Sequence, residues 1–263
     1  MRRPRMKNRV IFAALAAILS SSAWAVQGTI VANDSEKKGD IRYRARDKMY
    51  LVTVQRKGGS PIEIELNADD VTDIQVPKPK DFDKAVEMVQ KGQGVAAIGI
   101  LQKVVVDYKK LIWDLPAGRY LVEAYLQANN PQKAYEAAQG IIRDDKKAAW
   151  QGDLAPAYWQ ALLRLGKQQQ LEGLISKAAA SGDRHSSCAA LVLRGDMILA
   201  DGGDGQDNLR KALTDGYLRA ALMYGDEECK EVRSDAMLKA AKCFDKLGWA
   251  ERAEILRSQA RMQ

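Results

Sequence analysis

Histidine is almost missing from this sequence: 263 residues contain one, His185. Imidazole is the usual side chain for general acid–base work and metal ligation near neutral pH, so both chemistries have little to draw on. Cysteine is scarce too. The three, Cys188, Cys229 and Cys243, form no CxxC and no mixed Cys/His spacing of the zinc-binding kind. Long apolar runs are also lacking. "VIFAALAAIL" (Val10 to Leu19) is only ten residues, too short to cross roughly 30 Å of hydrocarbon as a helix. The Gly-rich pieces "KGGS" and "KGQG" lack the strand–GxxxxGK[ST]–helix context of a phosphate loop. Metal centres, cofactor sites and membrane spans all lose their usual sequence support.

The short apolar run has a different use. Arg2, Arg3, Arg5, Lys7 and Arg9 precede it, and "SSSAWA" follows with small residues at Ala23 and Ala25. That order is a secretory signal peptide over residues 1–25, cleaved after Ala25, and implies a periplasmic or secreted protein. The leader changes the charge argument. The chain carries 41 Lys+Arg against 34 Asp+Glu, and five of the basic residues but no acidic ones lie in the leader, leaving 36 against 34. A basic surface for nucleic acid is therefore not expected. Export makes a disulfide permissible, and three cysteines leave at least one thiol free or paired between chains.

Composition divides the remainder near "PKPKD" (Pro77 to Asp81). Before it stand five short stretches rich in β-branched and aromatic residues: Gly28–Ala32, Asp40–Ala45, Tyr50–Gln55, Ile62–Leu66 and Val71–Val76. Gly58-Gly59 between the third and fourth marks a hairpin, because glycine adopts positive φ at little cost. Residues 26–77 thus read as a small five-stranded, barrel-like β-domain, whose pattern resembles an SH3-like barrel.

Residues 78–263 read as helices with short punctuation. Gly92, Asn129, Gly166 and Gly203 recur every 37 residues where one helical pattern stops, and Gly248 plays that part in the last unit. Small or apolar residues follow at 97, 134, 171, 212 and 253. Helix, short turn, helix, with Leu121, Ala124, Tyr125, Asn129 and Ala134 in register, resembles the tetratricopeptide repeat (TPR). Phe244, Gly248, Ala253 and Ala260 match likewise. The periods of 37 and 41 exceed the usual 34, and Gly118 stands where Trp is typical. The expected fold is mainly α, an α-solenoid of about five TPR-like helical hairpins behind the β-domain, each hairpin burying a face it cannot bury alone.

The resemblance implies a concave side lined by first helices whose polar positions grip extended peptides. Carried over, these are Arg119, Glu123 and Gln127 in the second unit, Gln160 and Arg164 in the third, and Lys242 in the last. Tyr125, Tyr135, Tyr158 and Trp159 read as inter-helix packing, and Trp249 as an exposed contact. The expected function is an exported non-enzymatic adaptor or scaffold for a protein or peptide partner in the cell envelope, with no cofactor and no metal. An alternative makes the β-domain the recognition module and the solenoid a spacer or oligomerisation arm. A third reading takes Cys188, three residues from His185, as the nucleophile of an envelope hydrolase; the plainer one places His185 in the surface of a helix's first turn. Asp201, Asp204 and Asp207 could gather a hard cation, but lack EF-hand spacing and fit a turn in which Asp204 or Asp207 caps the next helix.

Overall fold

A computed structural model describes residues 25–56 and 58–262; the proposed leader lies outside this range. Five strands come first: β1 (Val26–Ala32), β2 (Ser35–Arg44), β3 (Met49–Val54), β4 (Ile62–Asn67) and β5 (Val71–Gln75). They form one antiparallel sheet in the order β4-β3-β2-β1-β5. β2 begins at Ser35, five residues before the expected Asp40. Its early residues "SEKKG" are polar, but pairing with β1 is enforced by the Asn33-Asp34 turn, both at positive φ (48° and 59°). β4 and β5 each pair on one side only, so the sheet is open where a barrel-like closure was expected. Its inner face, built from Val26, Ile30, Ile41, Tyr50 and Val52, is covered by Leu111 and Tyr108 from the helical part. The Tyr50 hydroxyl donates to the Lys110 carbonyl (3.0 Å) and Trp113 Nε1 to that of Val76 (3.4 Å), tying sheet to helices.

Helices follow as α1 (Phe82–Gln90), α2 (Gly94–Asp107), α3 (Asp114–Gln127), α4 (Pro131–Ile142), α5 (Leu154–Arg164), α6 (Gln168–Ala180) and α7 (Arg184–Gly202). Then come α8 (Gln206–Ala212), a π-turn (Leu213–Tyr217), α9 (Leu218–Met223), α10 (Lys230–Lys246) and α11 (Ala250–Arg261). The fold is mainly helical, and the hairpins are TPR-like. Gly92, Asn129, Gly166, Gly203 and Gly248 all have positive φ, from 53° to 79°. Four of these turns share one hydrogen-bond pattern. At Asn129, its own N–H donates to Leu126 O (3.1 Å) and the next N–H to Tyr125 O (2.9 Å); Gly92, Gly166 and Gly248 repeat this Schellman arrangement. Asn130 then caps α4 by accepting from Lys133 N (3.0 Å), with Pro131 in the first turn.

The fourth unit departs from the pattern. Gly203 makes the simpler bond to Leu199 O (2.9 Å), and its second helix breaks into α8, the π-turn and α9. Gly205, not Asp204 or Asp207, stands at the N-terminus of α8. Asp204 pairs with Lys246, Asp207 with Arg210, and Asp201 accepts from Gln168, so the three acids turn to different partners. Among the described residues, no group of three His, Cys, Asp or Glu could hold a metal ion. Ala97, Ala134, Leu171, Ala212 and Ala253 are all fully buried. A Cβ at Gly118 would overlap Ile141 Cδ1, which is why the position usual for Trp is empty of side chain. Two core clusters run along the helices and divide at α7: Ala189, Ala190 and Leu193 face one, Cys188 and Val192 the other.

Candidate protein-binding groove

The groove is made by the first helices of units two to five. α3 contributes Arg119, Glu123 and Leu126, α5 contributes Pro156, Ala157, Gln160 and Arg164, and α7 adds Val192 and Leu193. α10 closes the far wall with Glu231, Val232, Asp235 and Lys239, leaving a cavity of about 410 Å³. That size and an apolar floor under convergent polar groups are typical of ligand-sized clefts. Trp159 lies under the groove floor, but neither it nor Tyr158 offers an exposed ring to a ligand. Both are buried; Trp159 Nε1 donates to Ala149 O (2.8 Å), and Tyr158 Oη accepts from Gln139 (2.6 Å) and Gln170 (2.8 Å). Tyr125 is buried, and Tyr135 stacks on Tyr158 with centroids 5.9 Å apart. Trp249 is exposed beyond the groove, beneath Arg252.

The six expected contact residues divide. Arg119, Glu123, Gln160 and Arg164 line the groove together. Arg119 Nε donates to Glu123 Oε1 (2.9 Å), and its Nη2 lies 3.8 Å from Glu231 across the groove. Burial disfavours the guanidinium charge, but Glu123 outweighs it and the pKa is raised. Arg164 is exposed, and its Nη1 donates to the Leu126 carbonyl (2.7 Å). No ion pair involves it among the described residues. Gln127 is occupied internally: its Oε1 accepts from Gly94 N (2.8 Å) and its Nε2 donates to Val89 O (2.8 Å), joining unit one to unit two. Lys242 lines a separate cavity of about 340 Å³ with Leu199, Leu209, Tyr217 and Cys243.

Asp196 and Lys239 went unforeseen in the sequence. Asp196 Oδ2 accepts from Gln160 Nε2 (2.7 Å) and Lys239 Nζ (2.8 Å), while Oδ1 accepts from the Tyr217 hydroxyl (2.8 Å). Lys239 also pairs with Asp235 at 3.1 Å. Burial alone would lower its pKa; the two carboxylates raise it instead. Their signal was a polar residue at a core-facing position of α7 and another on α10, which becomes readable only once the helices are placed.

Cys188 is fully buried and its thiol is pushed up to about 12, chiefly by burial and by neighbouring Cys229. A nucleophilic cysteine needs an accessible thiolate, so the geometry removes Cys188 from that role. His185 lies half-buried in the first turn of α7, behind the capping residue Asp183, which accepts from Ser186 N (2.6 Å).

No family model matches the chain, and no curated protein does. Among solved structures, the chain is similar to a Podosopora anserina protein described as a kinesin light chain with nearly identical TPR-like repeats. Identity is 18%, the TM-score 0.41, with 68% of this chain and 91% of that chain covered. MamA MSR-1 C2 is similar at 16% identity and TM-score 0.37, with 69% of this chain and 92% of that one covered.

Proposed function

We propose that this protein is an exported, non-enzymatic adaptor that holds an extended segment of a partner protein in the groove between α3, α5, α7 and α10. The observation that carries the reading is the groove itself: apolar floor, both signs of charge on its rim, and an exposed Arg164 without a carboxylate partner among the described residues. A partner segment would seat apolar side chains on Leu126, Pro156, Val192 and Val232, and offer an acidic group to Arg164. The leader over residues 1–25 supports export to the periplasm or beyond. Among the described residues no helix is long and apolar enough to cross a membrane. The β-domain would be an SH3-like appendage over residues 26–77, and 78–263 the solenoid.

Affinity capture with the mature chain (Val26 onward) in envelope extract, followed by partner identification, supplies the ligand. Charge-assisted hydrogen bonds contribute about 1.5–3 kcal/mol, or roughly ten- to hundredfold in affinity. Arg164→Gln combined with Arg119→Gln should therefore weaken capture at least tenfold while leaving helicity unchanged. Full capture by that variant would refute the groove as the binding site. A second reading is favoured by the open edges of β4 and β5, whose unpaired backbone could accept a partner strand. A Pro substitution at Glu63 on β4 then weakens capture, and the arginine variant does not.

A further inference from the structure

Two of the three cysteines meet in the core of the fourth and fifth units. Cys188 on α7 and Cys229, in the 3-10 turn Glu227–Cys229 leading into α10, are both fully buried in the same cluster. The turn carrying Cys229 packs on the start of α7, where Arg184 pairs with the neighbouring Asp226, and Cys188, one helical turn further along, has its Sγ 3.8 Å from the Ala220 carbonyl on α9. Cys243 belongs to the same cluster but lies further along α10, beside Tyr217 and Leu209. We propose that Cys188 and Cys229 are joined by an intramolecular disulfide when the chain folds in an oxidising compartment, leaving Cys243 as the free thiol.

The chemistry needs an external disulfide of low molecular weight, such as oxidised glutathione. The Cys229 thiolate attacks one of its sulfurs and expels a thiolate, forming a mixed disulfide. Cys188 then loses its proton and attacks Cys229 Sγ, expelling the second thiolate. The two protein thiols give up two electrons and two protons, and the external disulfide is reduced to two thiols. In the finished fold burial raises both thiols. Neither sulfur is accessible once the core closes, so the exchange occurs while the fourth unit is still forming.

The position of the bond matters to the fold. It closes the segment 188–229, which contains the irregular turn after Gly203, the π-turn and α9. Restricting the unfolded chain there stabilises the unit that departs most from the repeat. Only the compartment rests on the export reading; the bond itself is tested on purified protein. The wild-type chain is refolded in a glutathione redox buffer, quenched, alkylated and digested with trypsin without reduction. Peptides 185–194 and 220–230 should be found linked, with 243–246 alkylated. Oxidised protein should melt roughly 5–15 °C above reduced protein. Cys243→Ser keeps the linked pair and the melting difference, whereas Cys188→Ser with Cys229→Ser abolishes the difference. A bond involving Cys243, or three alkylated cysteines, overturns the proposal.

Discussion

Asp196 accepts from Gln160, Tyr217 and Lys239 at once and so ties α5, the π-turn and α10 to α7. Such a carboxylate is tolerated in a half-buried place because every partner is a donor and one is a cation. The consequence lies at alkaline pH. Lys239 keeps its proton in the fold above the ordinary lysine value, and burial beside Asp196 holds the Tyr217 proton on in the same way. Above about pH 10 the unfolded chain loses both protons first, so stability falls as pH rises. Lys239→Met should remove up to one proton from that slope, about 1.4 kcal/mol per pH unit. Urea unfolding between pH 9 and 12 checks this against wild type, since buried Cys243 and Tyr50, raised to about 11 and 12, act in the same direction. An unchanged slope would deny Lys239 its part in the network.

The helical hairpin is governed by its turn. At Gly166 the left-handed conformation would cost an L side chain about 1–2 kcal/mol, so Gly166→Ala should lower unfolding free energy by that amount. Asn129→Gly should stay within about 0.5 kcal/mol of wild type, because asparagine already adopts this conformation at φ 53°. Chemical denaturation measures both, and equal losses would contradict the shared-turn account. These turns were legible because their signal is local: one residue type, one dihedral, one repeat. The start of β2 was not, since "SEKKG" carries no apolar alternation and is held by pairing with β1. Nor was the π-turn. A Cβ at Gly216 would meet Gly195 N at 2.7 Å, so that crossing depends on two glycines 21 residues apart whose meeting no periodicity announces.

On the scale of the whole chain, stacking brings α10 back against α7 and across from α3, so that Arg119 faces Glu231. Four of the six expected contact residues share the resulting groove: Glu123 and Gln160 hold equivalent places on α3 and α5, with Arg119 one turn before the first and Arg164 one turn after the second. Gln127 and Lys242 do not: one lies at a helix end where inter-unit backbone needs partners, the other on a face that α10 turns toward the fourth unit. Glu231, Asp235 and Lys239 were out of reach because their place depends on tertiary approach over more than a hundred residues. The account's central claim is that a partner segment lies in this groove. A photoreactive residue placed at Glu231 on the groove wall, with a second chain carrying it at the exposed Leu222 on α9, tests it directly in the native envelope. Crosslinking to one polypeptide from 231 and not from 222, abolished by Arg164→Gln, is the predicted result. Equal crosslinking from both positions, or crosslinking from 231 that survives Arg164→Gln undiminished, would contradict it.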